Sequence, residues 1–284
     1  MSKRTAGFSL LELMLVLGIF LVVSGAVFEL LNVAQLRYRA ETEFLESFQG
    51  ARLGVDLMVR DIHNAGYPPP YTFPGNFGKP PTPAAYPVGT WTNPLLAPAA
   101  VQSRFAIGIL GVMPGGVMST TCTVNGGATP CRIPNPWDLI LEEDIDPENN
   151  IPVPQVEWVR YCVSGAGNNC PATVAGAIVR TMHRTIRTKV PAGDPTLNPS
   201  VVPFVENIVQ DTAGAVSALN PAVFTYECDP LMVITPGTNI CTAENIKNVY
   251  VTLLVQSTRR DLTTQQFRQI TVRGLASRNY PSRP

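Results

Sequence analysis

The residue with the sharpest chemical requirement is Glu12. It lies inside an apolar run that opens at Phe8, and no charged residue follows between Leu13 and Phe28. A charged side chain at mid-membrane costs on the order of 2.5–3.5 kcal/mol on insertion scales, less near an edge. A carboxylate kept there has a partner or a task; the plainer alternative is a helix-end glutamate reaching toward the interface. Six cysteines form a second set, falling as three local pairs: Cys122/Cys131, Cys162/Cys170 and Cys228/Cys241. Nearest-neighbour pairing into three small loops is expected in an oxidising compartment, although six cysteines allow fifteen pairings. Zinc is disfavoured, since there is no CxxC spacing and no histidine near any pair. The stretch Glu142-Glu143-Asp144-Ile145-Asp146-Pro147-Glu148 concentrates oxygen ligands, and Asp144, Asp146 and Glu148 are the candidates for calcium. Its spacing is not that of an EF-hand loop, so a solvated acidic turn is preferred and no metal is assigned. The two histidines, His63 and His183, sit in no catalytic motif, and GxSxG, phosphate-loop and HExxH patterns are missing. The chain is read as a non-enzyme without a cofactor.

The elements that must position these residues follow from periodicity. As a helix, Phe8–Leu31 is roughly 36 Å long, enough to cross a bilayer with some tilt. Gly18, Ser24 and Gly25 are small enough to let neighbouring helices approach. Beyond Leu31, Phe44, Phe48, Ala51, Val55, Met58 and Ile62 recur at helical spacing, and Arg52, Asp56 and Arg60 alternate in sign four apart on the opposite face. Gly66 and Pro68-Pro69-Pro70 supply the stop. One helix from Phe8 to about Ala65, roughly 85 Å long, is therefore expected. Residues 67–104 are rich in proline and aromatics and read as an irregular connection. The rest reads as strands: Phe105–Val112, Trp137–Glu142, Val156–Val163, Ala177–Met182, Val223–Glu227, Val249–Ser257 and Gln269–Ala276, with Val205–Gln210 a short helix or strand. The fold class is α+β, a long helix packed on an antiparallel sheet with disulfide-closed loops.

Residues 7–15, Gly-Phe-Ser-Leu-Leu-Glu-Leu-Met-Leu, resemble the class III signal of type IV prepilins and type II secretion pseudopilins. An ordinary secretory signal is cut after its apolar segment; the resemblance implies a cut before it. Residues 1–7 would then be a leader removed by prepilin peptidase after Gly7, and Phe8 would be the N-methylated new terminus. Residues 8–31 would be the transmembrane and filament-core half of the helix, 32–66 its amphipathic half, 67–104 the connection, and 105–284 the β-rich domain of a type IV pilin-like fold. The resemblance also gives Glu12 a task, pairing with the terminal amine of a neighbouring subunit, because buried charges need partners.

The order of later segments narrows the likeness. RDIHNAGY at 60–67, WDLILEEDID, VEWVRYCV, IVRT, VENIV, VYVTLLV and ITVRGLASRN are similar in order to PilW-type minor pilins and the type II secretion J pseudopilin. Many major pilins have a proline within the membrane segment, whereas none occurs between Phe8 and Tyr67 here. The implied function is a minor type IV pilin that helps initiate or cap a pilus, placed first in the inner membrane and then in the surface filament. Its implied partners are prepilin peptidase, other minor pilins, the major pilin, the inner-membrane assembly platform and the lipid bilayer. The rivals are a J-like pseudopilin and a signal-anchored periplasmic enzyme or binding protein. The 284 residues carry 21 basic and 21 acidic side chains and only 15% charged residues, so there is no basic excess and no nucleic-acid partner is expected.

Overall fold

The computed structural model describes residues 9–69, 95, 102, 105–145, 155–166, 170–173, 177, 179–190, 193–197, 201–261 and 264–279. Gly7, Phe8, Asp146, Glu148 and most of the 67–104 connection lie outside them. Contacts divide the chain into two units, Met1–Glu46 with Ser257–Arg268, and Ser47–Gln256 with Gln269–Pro284.

A single helix, α1 (Leu10–Asn64), contributes to both units. It stops where the sequence places the stop. Gly66 adopts φ +94°, a left-handed conformation that glycine enters without a Cβ penalty, and its N–H donates to Glu142 O at 2.9 Å. In the first unit, Thr258 Oγ1 donates to Glu43 Oε2 at 2.7 Å, and Arg259 pairs with Glu43 at 3.1 Å.

The second unit holds the sheet. Its strands are β1 (Gly111–Val112), β2 (Met118–Ser119), β3 (Thr123–Val124), β4 (Asp138–Glu143), β5 (Glu157–Val163), β6 (Arg180–Thr188), β7 (Val202–Ile208), β8 (Phe224–Cys228), β9 (Cys241–Thr242), β10 (Ile246–Arg260) and β11 (Phe267–Ser277), the last two reaching into the first unit. The main sheet has the order β11-β10-β7-β6-β5-β4, with β8 also paired to β10; β1–β2 and β3–β9 form two small ribbons. The pairings within the main sheet given by register are antiparallel. The segment with two readings, 205–210, falls mainly in a strand. The strand expected over 177–182 lies later, over 180–188, where β6 matches β5 residue for residue from Glu157↔Thr188 to Val163↔Met182.

The buried stripe of α1 is Ala51, Gly54, Val55, Met58, Asp61 and Ile62, spaced at helical three- and four-residue steps. It packs with Leu139, Leu141, Val159, Tyr161, Met182, Val205 and Val272 in the main core. Two glycines permit the close approach. A Cβ on Gly54 would lie 2.4 Å from Val205 Cγ2, and one on Gly274 would lie 2.5 Å from Val55 Cγ1. A second core of Phe105, Ile107, Leu110, Val112, Ile133, Ile140 and Trp158 forms beside it, so β4 is buried along its whole length. The polar residues of this strand, Asp138, Glu142 and Glu143, therefore do not face water.

Three disulfides close local loops: Cys122–Cys131, Cys162–Cys170 and Cys228–Cys241, with Cα separations of 5.0, 6.1 and 5.9 Å. All three separations fall in the usual range for a bridged pair.

Candidate functional site

Two features carry functional meaning, one in each unit. In the first unit, the opening of α1 presents apolar side chains to the outside. Leu10, Leu13, Phe20, Val22 and Phe28 are 76%, 56%, 64%, 74% and 72% exposed. An 18-residue window of α1 has mean hydropathy 2.5 and none of it is buried, which is long and apolar enough to cross a membrane. The zero burial separates it from the core helix of a soluble domain. Such a surface is stable only against lipid or other apolar helices.

Glu12 has a local role at the start of this helix. Ser9 O accepts from Leu13 N at 3.1 Å, and Ser9 N donates to Glu12 Oε2 at 3.1 Å. Ser9-Leu10-Leu11-Glu12 thus forms the glutamate half of a capping box, in which the carboxylate satisfies an amide that the helix leaves unpaired. Among the described residues only one carboxylate oxygen is engaged. Gly7 and Phe8, the other two residues singled out in the sequence, lie outside the described residues.

The second feature is ionic and buried. Asp61, on the stripe of α1 that faces the sheet, is 3% exposed. Tyr161 Oη on β5 donates to Asp61 Oδ2 at 2.6 Å, and Arg184 Nη2 on β6 donates to the same oxygen at 2.7 Å. Arg184 Nε also donates to Tyr161 Oη at 2.9 Å, closing a triangle between helix and sheet. Burial pushes the Tyr161 hydroxyl well above its usual range, and the Asp61 charge adds to this, so the phenol remains a donor. Beside the triangle sits Glu143, 3% exposed, whose Oε1 has no hydrogen-bond partner among the described residues. Burial raises its carboxyl to about 8, Asp61 pushes in the same direction, and Arg184 and Arg60 oppose.

Beside the second core, Glu142 accepts from Lys189 Nζ at 2.9 Å, Trp158 Nε1 at 2.9 Å and Ile107 N at 3.0 Å. Asp138 receives both Nε and Nη2 of Arg160, at 2.9 and 2.6 Å, while Arg160 Nη1 donates to Thr196 O at 2.9 Å. The acidic stretch opening at Glu142 is thus partly strand: Glu142 and Glu143 are buried in β4, which is a correction to reading the whole stretch as a solvated turn. Among the described residues no group of three acidic, histidine or cysteine side chains is placed to hold a metal, and Asp144 donates its N–H to Tyr67 O. His63 Nδ1 lies 2.9 Å from Ser277 O; His183 is buried, which lowers its pKa.

Sequence reasoning passed over these ion pairs. The signals were an aspartate three residues beyond Met58 on the apolar stripe, and acids at both ends of the apolar strand β4, with an arginine in its partner β5. Apart from Glu143 Oε1, these carboxylates are held by charged or hydrogen-bonding partners. Asp61 ties α1 to the sheet, whereas Asp138 and Glu142 tie β4 to β5 and to neighbouring loops.

Residues 2–28 match the model of the prokaryotic N-terminal methylation motif. No curated protein and no solved structure matches the chain. The motif is that of the type IV prepilin and pseudopilin superfamily.

Proposed function

We propose that this pilin-like protein, which carries the prepilin methylation motif and a helix suited to inner-membrane anchoring before assembly, is a minor type IV pilin resembling the PilW type. Proteins of this kind are typically non-enzymatic structural subunits processed by prepilin peptidase. In this reading the leader is cut between Gly7 and Phe8, Phe8 is N-methylated, and the subunit joins a filament through α1. It helps start the pilus or caps its tip, together with other minor pilins, the major pilin and the assembly platform. The observation that carries the reading is the exposed apolar start of α1, coincident with the matched motif, on a helix that continues into a disulfide-stapled sheet unit.

Glu12 is the docking charge. While the chain waits in the membrane, its carboxylate holds the Ser9 amide. Its second oxygen then receives the terminal amine of a neighbour displaced by about 6 Å along the axis, four residues of helical rise. Removing one partner of a buried ion pair costs about 3–5 kcal/mol because the other charge is left uncompensated.

The test is mass spectrometry of sheared surface filaments. N-methyl-phenylalanine at Phe8 is expected at the mature terminus. Glu12→Ala is expected to insert and be cleaved, with a strongly reduced ratio of sheared to membrane-bound protein. A mature terminus beyond Ser24 would indicate an ordinary signal peptide and overturn the assignment. Equal incorporation of wild type and variant would remove Glu12 as the docking charge. Recovery only in a periplasmic piston, never in surface filaments, would favour the J-like pseudopilin.

A further inference from the structure

The main sheet ends in β4 on one side and β11 on the other. An end strand presents a row of backbone N–H and C=O groups, and an open row is a template for another chain. The β4 edge is closed by the chain itself. Gly66 N donates to Glu142 O, Glu142 N to Gly108 O and Leu110 N to Ile140 O, at 2.9, 2.7 and 2.9 Å. The β11 edge is left open. β10 and β11 form a hairpin, and Arg278 N donates to Lys247 O at 3.0 Å. Alternate residues of an antiparallel strand turn their backbone groups to the same neighbour. Ala276, Gly274, Val272 and Ile270 therefore direct theirs at β10, and Leu275, Arg273, Thr271 and Gln269 direct theirs away from it. Two contacts at the end of the strand agree: Asn279 N donates to His63 O at 3.4 Å, and Ser277 O lies 2.9 Å from His63 Nδ1. Beyond these, the outward backbone groups of residues 269–275 meet no partner among the described residues.

The side chains distinguish the two faces of this edge. Val272 and Ala276 are buried and Gly274 packs beneath Val55 of α1, whereas Leu275 is 52% exposed and Thr271 and Arg273 are exposed with it. No acid occurs between Phe267 and Asn279. Arg268 is paired with Asp261, and Arg278 donates to the carbonyls of Glu244 and Ile107. Among the described residues, Arg273 is thus the one unpaired charge on the strand.

We propose that the β11 edge binds an extended segment of another protein chain as an added strand, with a carboxylate opposite Arg273 and an aliphatic side chain opposite Leu275. Backbone hydrogen bonds to residues 269–275 supply the affinity, and those two side chains supply the choice of partner. A second copy of β11 does not fit. Its outward residues are odd-numbered too, so any register that pairs most of both strands puts Arg273 opposite its own copy or two positions away on the same face. Like charges so placed are destabilising. The open edge lies in the second unit, so the assignment does not depend on how the start of α1 is anchored.

The experiment uses the full chain in mild detergent and a synthetic strand with capped ends, Val-Thr-Val-Thr-Glu-Thr-Val-Thr-Val. Residue-level hydrogen exchange reads the edge amides directly. Without peptide, Thr271, Arg273 and Leu275 should exchange about tenfold or more faster than Val272 and Gly274. With peptide they should slow to match. The same peptide N-methylated at its valines and glutamate cannot donate to the edge and should give no slowing. Changing its glutamate to lysine should weaken binding about fivefold, and Arg273→Glu in the protein should invert that preference. Equal thermal melting shows that the variant is folded. Slow exchange of all three amides in the free monomer would show the edge already closed and end the proposal. So would the absence of slowing by the glutamate peptide, or equal binding of its N-methylated form. An uninverted preference in Arg273→Glu would overturn the acidic partner. Protection that rises with protein concentration alone would assign the edge to a second copy instead.

Discussion

Glu143→Gln tests the buried ionic cluster most directly. Glu143 lies at the end of β4 with 3% exposure, and its Oε1 has no hydrogen-bond partner among the described residues. The groups facing it are Asp61 and Arg60 from α1, Arg184 from β6 and Glu157 from β5. Its carboxyl is raised from 4.5 to about 8, first by burial and then by Asp61. The unfolded chain therefore loses this proton at lower pH than the native protein does. Between these values the native state binds more protons, so stability falls as pH rises. Each unit corresponds to about 1.4 kcal/mol, and the whole window to roughly 5 kcal/mol, with half of that a realistic yield after local relaxation. Glutamine keeps the shape and cannot ionise. The assay is urea unfolding of the full chain in detergent, followed through the buried Trp137 and Trp158, for wild type and variant from pH 4.5 to 8.5. The stability difference in favour of the variant should widen steadily up to about pH 8 and then level off. A difference that is flat across the window would refute the reasoning, because it would mean that Glu143 titrates alike in the folded and unfolded chain.

Two further outcomes follow from contacts in the same unit. Tyr161→Phe removes a donor from Asp61 and from Arg184 an acceptor, so it should destabilise by about 1–3 kcal/mol in the same unfolding assay; Asp61→Asn in the Tyr161→Phe background should then add less than it does alone, because the residues share one network. Gly54→Val places branched carbons where a single Cβ already comes within 2.4 Å of Val205, and overpacking of this kind costs about 1–3 kcal/mol. The loss should be recovered in part by Val205→Ala, and an unchanged midpoint in Gly54→Val would show that helix and sheet are not in this contact.

Local pattern was enough for the long helix and most of the long strands, but of the strand expected over Phe105–Val112 only Gly111–Val112 is strand, and the short strands β2, β3 and β9 gave no signal. The long apolar run, the helical spacing from Ala51 to Ile62 and the glycine at position 66 are signals written within a few residues of each other, and α1 runs and stops accordingly. Short cysteine spacings and alternating β-branched segments made the loops and most strands legible for the same reason. The boundaries of β6 were less legible, because HRTIRT is polar and only its register against β5 selects it as strand.

The candidate site divides along the same line. Glu12 stands out in the sequence because a carboxylate in an apolar run is costly wherever the chain goes. Asp61, Glu143, Asp138 and Glu142 do not stand out, because an acid in an amphipathic segment ordinarily faces water. Whether it does is decided by what covers it. Here α1 lies over one core and residues 105–133 contribute the other, so acids that local pattern assigns to solvent are enclosed with Arg184, Arg160 and Lys189 brought from distant strands and loops. The sequence by itself determined the membrane-suited helix, its stop and most of the long strands of an α+β chain, while their order in the sheet came from the tertiary structure. Only the tertiary structure decided which charges are buried and with whom, because burial is a property of two packed surfaces and not of either alone.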